Sequence, residues 1–191
     1  MAYMILSEKP RSFVDCETTG LDDKTNEILE FAGLKVHKDG SEETLVLKIK
    51  PRRIHTAHPK ALEVNGYNEA EWTEAIDGQQ AAIQIAQFLK DTVIIGHNVR
   101  FDIGFIQQLL KEFQVSVRLD YHLVDTITLA YAFLVPQGLE SVNLANVCKF
   151  LGIPPEPSQH RALAGVLSCK AVYDELASRI ARDEIVPRQF L

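Results

Sequence analysis

Asp15 and Glu17 close the apolar run Ser12-Phe13-Val14-Asp15-Cys16. Side chains alternate along a strand, so the two carboxylates share a face with Phe13 while Cys16 points to the other. Two acids held close together at the rim of a core must be protonated, solvated or neutralised by a cation. Carboxylate oxygens are hard donors that suit Mg²⁺ or Mn²⁺ rather than Zn²⁺. Two solvated acids at a strand end would carry the same spacing. The turn that follows, Thr18-Thr19-Gly20-Leu21, offers hydroxyls, backbone donors and a glycine, which lets a strand end approach a phosphate or a sugar.

A second constellation is Ile94-Ile95-Gly96-His97-Asn98-Val99-Arg100-Phe101-Asp102, a buried strand feeding a helix. Asp102 falls in the first helical turn, where an acid also complements the helix dipole. By itself Asp102 reads equally as a helix-stabilising acid, and Phe101 as a core aromatic.

The elements that must position these residues follow from periodicity. A strand is expected at Ser12 to Cys16 and another at Glu27 to Val36. After the tight turn at Asp39-Gly40, Leu45, Leu47 and Ile49 alternate on one face, so the second and third strands form a hairpin. The stretch from Pro51 to Trp72, broken by Pro59 and Gly66, is a loop region with short helical pieces. Gln79 to Leu89 is helical by spacing, Val93 to Gly96 is a short strand, and Val99 to Phe113 is a helix. A last strand near Tyr121 to Val124 leads into helices at Thr126 to Phe133, Val142 to Leu151 and Arg161 to Ile180. A meander followed by alternating strands and helices indicates a three-layer α/β fold, with a central mixed sheet of about five strands flanked by helices. One domain is expected over residues 1–181, with 182–191 as a tail.

Composition narrows the class. The 191 residues are 46% hydrophobic and 24% charged, which excludes a disordered chain, a collagen-like repeat and a disulfide miniprotein. Twenty Lys and Arg against 26 Asp and Glu give a net charge of -6, which argues against coating of long duplexes but not against a small local contact with nucleic acid. Cys16, Cys148 and Cys169 have no spacing for a zinc site or a disulfide framework, and the start has no positive region of a secretory signal. No apolar run reaches the length of a membrane span. Together these describe a cytoplasmic protein with three reduced thiols.

FVDCETTGL, IIGHNVRFD, DTITLA and HRALA follow one another within residues 11–180. This ordered set resembles the DnaQ-like 3′-to-5′ exonucleases of the DEDDh group, which include the proofreading subunit of bacterial DNA polymerase III and related ribonucleases. The resemblance implies an RNase H-like fold and release of nucleoside monophosphates from single-stranded or frayed 3′ ends. It also implies two divalent cations per site, Mg²⁺ or Mn²⁺, that activate a water and steady the leaving oxygen. Carried over, Asp15, Glu17 and Asp102 are three metal ligands, with Asp15 bridging. His160 is the general base, suited to that work by an ordinary pKa near neutrality. Thr18, Thr19 and Gly20 contact the terminal sugar and phosphate, Leu21 wedges against the terminal base, and Asn98 and Phe101 wall the groove.

The family pattern places a fourth carboxylate five residues after the histidine. Here His160-Arg161-Ala162-Leu163-Ala164-Gly165 puts glycine there. Three accounts follow: water fills the position and leaves a weaker metal site, the domain binds 3′ ends or scaffolds a replication or repair partner without cleaving, or Asp125, Glu156 or Asp120 substitutes. The expected ligand is a nucleic-acid 3′ end, DNA ahead of RNA, with a polymerase or sliding clamp as a further partner and no membrane. Lys48, Lys50, Arg52, Arg53, His55, His58 and Lys60 form the one dense cationic stretch, either a track for the strand backbone or a solvated loop face. Pro187 to Leu191 is a docking peptide for a clamp, a disordered end or the cut edge of a longer protein.

Overall fold

The computed structural model describes residues 8–154 and 161–182. Five strands form one sheet in the order β3-β2-β1-β4-β5: β1 Arg11–Thr18, β2 Ile28–Val36, β3 Glu42–Lys48, β4 Val93–Gly96 and β5 Leu123–Asp125. β1, β2 and β3 form an antiparallel meander, while β4 and β5 run parallel to β1. The helices are α1 Pro59–Asn65, α2 Gly78–Leu89, α3 Val99–Glu112, α4 Thr126–Leu134, α5 Leu144–Leu151 and α6 Ala162–Ala181.

Alternation along β1 builds the layers. Val14 and Cys16 face a core made with Ile85, Leu89, Ile103 and Ile106 of α2 and α3. Phe13 faces the other way, packing with Ala162, Val166 and Cys169 of α6, and its ring meets Tyr173 edge-on at 5.5 Å. A third cluster, with Ala130, Leu134, Val147, Val172 and Leu176, joins α4 and α5 to the far part of α6. The two sheet faces are therefore covered by different helices, and the acids that share the Phe13 face lie under α6.

Helix starts follow their caps. Asp77, Asp125 and Asn143 accept from Gln80, Ile127 and Asn146 backbone N–H groups at the starts of α2, α4 and α5. α1 begins with Pro59 and ends at Gly66, whose φ of 64° is the left-handed conformation that glycine tolerates. The expected hairpin forms, with the turn around Gly40, and the short helical piece expected after Pro51 is α1.

One detail of register opens the site. β1 pairs with β4 only over Arg11 to Phe13, while its pairing with β2 continues to Thr18. Past Phe13 the strand's β4-facing edge has no strand neighbour, and the start of α3 enters there.

Candidate active site

Asp15 and Glu17 are half-buried on β1 and share the α6 face, as alternation requires. Asp102, in the first turn of α3, reaches β1 from the other side. It is only 2% exposed, and its carboxylate accepts from the backbone N–H and the thiol of Cys16. An acid therefore occupies the edge of β1 that β4 leaves open. Burial pushes the Asp102 carboxyl up to about 8, and the charge of Asp125 adds to it, against the lowering effect of the accepted hydrogen bonds.

The charges converge on Cys16. Its thiol is pushed well above the ordinary range, first by burial and then by Asp102, Asp15 and Glu17. Cys169 is likewise pushed up to about 12, chiefly by burial, with Asp15, Asp102 and Asp125 adding against a hydrogen bond from Thr126. Both thiols stay protonated and are poor ligands for a hard cation. The oxygen donors, crowded and partly desolvated, are of the type that Mg²⁺ or Mn²⁺ takes. Among the described residues, however, no three His, Cys, Asp or Glu side chains close into a group that would hold an ion.

Gly165 lies directly against this cluster. A Cβ built there would stand 2.6 Å from Asp15 Oδ2 and 2.8 Å from Asp15 Cγ, so the Asp15 carboxylate fills the space where a side chain at position 165 would begin. The glycine, costly in a helix interior, thus has a packing reason. Of the distant acids considered as substitutes, Asp120 is ion-paired to Lys9 and His122, away from the cluster. Asp125 is near enough to act on Asp102, but one of its oxygens, Oδ1, already accepts from Asn98 N at 3.0 Å and Ile127 N at 2.9 Å. Glu156 and His160 lie outside the described residues, as does Pro187 to Leu191.

A cavity of about 700 Å³ adjoins the cluster, lined by Glu17, Thr18, Gly20, Leu21, His58 and Phe101 among others. Leu21 is 86% exposed at its edge, although a leucine after a turn glycine is commonly core. Thr18 lines the cavity but its hydroxyl donates to Gly20 O at 2.7 Å. Thr19 is turned away: it is fully buried, outside the lining, and its hydroxyl accepts from Glu27 N at 2.8 Å. The Thr19 hydroxyl thus stabilises the turn. Gly20 has its own steric reason, since a Cβ there would meet Asn26 Oδ1 at 2.4 Å. Asn98 is exposed at the start of α3 with φ 67° and does not line the cavity.

The cationic stretch is largely spent on protein carboxylates. Arg52 and Arg53 pair with Glu112 at 2.7 and 3.0 Å, Lys48 with Glu71 at 3.3 Å and Lys60 with Glu63 at 2.9 Å. Only His58 and Lys60 of that stretch line the cavity.

Glu30 is the residue that sequence reasoning missed. It is buried on β2, directly opposite Glu17, and accepts from Ala162 N at 3.0 Å. Its signal is an acid inside the apolar run Ile28-Leu29-Glu30-Phe31-Ala32.

With this geometry in place, the sequence profile described as Exonuclease (RNase T) matches residues 12–173. The chain belongs to this exonuclease family. Its sequence is 31% identical over 175 residues to the PolC-type DNA polymerase III of Mycoplasma genitalium, covering 88% of this chain and 11% of that protein. It is 28% identical over 183 residues to ribonuclease T of Yersinia enterocolitica, covering 87% of this chain and 83% of that one. The chain thus spans only about a tenth of the PolC-type relatives. In fold it matches E. coli exonuclease I, solved in complex with a dT13 oligonucleotide, with a TM-score of 0.77 at 22% identity over 91% of this chain and 42% of that one. The five-stranded mixed sheet flanked by helices is the α/β fold expected from the sequence. Among the described residues no helix is long and apolar enough to cross a membrane.

Proposed function

We propose that this exonuclease-family chain is a metal-dependent enzyme that releases nucleoside monophosphates from the 3′ ends of single-stranded DNA. The observation that carries this reading is the meeting of two features at Glu17: the carboxylate cluster around Cys16 and a cavity of about 700 Å³ edged by an exposed Leu21. Asp15, Glu17 and Asp102 would hold two divalent cations, Mg²⁺ or Mn²⁺. When bound, these supply the positive charge that activates water and steadies the departing 3′ oxygen.

The chain's own residues do the rest. Asp102, carried on α3 and held at β1 by hydrogen bonds from Cys16, keeps its proton when buried alone and would give it up to a bound cation. Leu21 packs against the terminal base, and the Phe101 ring, itself braced by Phe105 at 4.9 Å, forms the facing wall. The turn at Thr18 to Gly20 sets the distance between β1 and the terminal nucleotide. His160, by the family resemblance, takes the proton from water. Structures of E. coli exonuclease I with a dT13 oligonucleotide support a single-stranded DNA substrate. Gly165 removes one donor, which raises the metal requirement without abolishing the reaction.

A second reading has its own observation. With Asp15 folded against Gly165 and no closed ligand group among the described residues, the domain would bind 3′ ends without cleaving them. A 5′-labelled single strand incubated with Mn²⁺ separates the two. A ladder shortening stepwise from the 3′ end supports the enzyme, whereas retention of an intact strand in a complex supports the binding domain. A matched RNA strand reports the sugar preference.

A further inference from the structure

Helix α6 starts without a cap of its own. Arg161 stands at the N-cap position with extended backbone, φ −139° and ψ 132°, and its side chain makes no capping bond. The cap comes from β2: Glu30 Oε1 accepts Ala162 N–H at 3.0 Å, and Glu30 Oε2 lies 3.6 Å from Arg161 Nη1. The same guanidinium reaches Glu71 Oε2 at 3.0 Å, donates to the Asn65 carbonyl at 3.4 Å and rests on Trp72, 5.7 Å from the ring centroid. Asn65 in turn donates to Thr18 O at 3.0 Å. A continuous set of contacts therefore runs from the start of α6 to the end of β1.

Charge gives this arrangement its purpose. Glu30 and Glu17 face each other in the β1–β2 register, and like charges directly opposed on one sheet face repel. The N–H at the positive end of a 20-residue helix and an arginine together neutralise Glu30. The carboxylate next to Glu17 is thereby committed to α6.

We propose that Glu30 and Arg161 are positioning residues of this site. They set the height of α6 above β1, and so the gap between Gly165 and Asp15. The inference rests on the exonuclease reading, but its test does not depend on cleavage alone. Mn²⁺ affinity is measured by calorimetry, with kcat and KM on a single strand, for the native chain, Glu30→Ala, Glu30→Gln and Arg161→Lys. Glu112→Gln, which breaks ion pairs away from α6, controls for general destabilisation.

Displacing groups that orient metal ligands costs about 10- to 100-fold in affinity or activity. Glu30→Ala and Arg161→Lys are expected to lose kcat and Mn²⁺ affinity in that range while KM stays within about threefold. Glu30→Gln, which keeps the acceptor and drops the charge, falls between, and Glu112→Gln keeps native kcat whatever its melting temperature. Native kcat and Mn²⁺ affinity in both Glu30→Ala and Arg161→Lys overturn the proposal. If the native chain binds Mn²⁺ but cleaves nothing, the exonuclease reading fails while the affinities still decide the positioning role. A native chain that does neither defeats both.

Discussion

Replacing Asp102 with asparagine is expected to stabilise the cation-free chain at high pH while removing one of the proposed metal ligands. In the folded state burial holds the carboxyl at about 8, against an ordinary value of 3.8. Between those values the folded chain keeps a proton that the unfolded chain has lost, so stability is full at low pH and falls as pH rises. Each unit is worth about 1.4 kcal/mol, so the whole window sets a ceiling of roughly 5 to 6 kcal/mol. Asparagine keeps a carbonyl to accept the Cys16 N–H but offers its amide group only a weak sulfur acceptor, which returns about 1 to 3 kcal/mol. A net gain of about 2 to 4 kcal/mol at pH 8 is expected, shrinking to a loss near pH 4.

The assay is urea unfolding of both chains in a chelator across that pH range. With Mn²⁺ present the order at pH 8 should reverse, because only the native chain binds the cation and gains by linkage. A stability difference between the two chains that does not change with pH would refute the reasoning, since it would mean that Asp102 does not hold a proton in the folded state.

Other outcomes follow from single observations. Leu21→Ala should leave stability within about 0.5 kcal/mol, because the side chain is exposed, yet weaken single-strand affinity several-fold in an anisotropy titration. Asp120 behaves oppositely to Asp102: burial alone would raise it, but hydrogen bonds from Lys9 and His122 outweigh burial and hold it down at about 2. Its contribution of about 2 kcal/mol is therefore present above pH 4 and lost as pH falls through 2, so Asp120→Asn should cost that much at neutral pH and nothing in strong acid, read by denaturant melts. Thr19→Val, which removes the hydroxyl that accepts Glu27 N–H, should loosen the turn and lower the melting temperature, read by thermal unfolding.

The parts of the fold legible in the sequence are those set by local periodicity. β1, the β2–β3 hairpin and α3 follow from alternation and helical spacing, and the ends of β1 and β4 bring Glu17 and Asp102 around Cys16. What was misread depends on partners distant in sequence. Glu27, eight residues on, donates to the Thr19 hydroxyl, and Glu112, about sixty residues on, pairs with Arg52 and Arg53, a partner that no local pattern around these arginines announces. Glu30 could not be assigned from its neighbours, because its partners Arg161 and Ala162 join it only when α6 packs over β2. Gly165 was legible as an absence, but the carboxylate that fills its space was not.

Cleavage by this chain despite the glycine at position 165 is open to a direct test. A labelled single strand is incubated with the native chain and with Gly165→Asp, in Mg²⁺ and then in Mn²⁺. Stepwise 3′ shortening by the native chain, favoured by high Mn²⁺, is expected, with stronger Mg²⁺ activity in Gly165→Asp once Asp15 turns away from the new side chain. A native chain inert in both metals beside an active Gly165→Asp would contradict it.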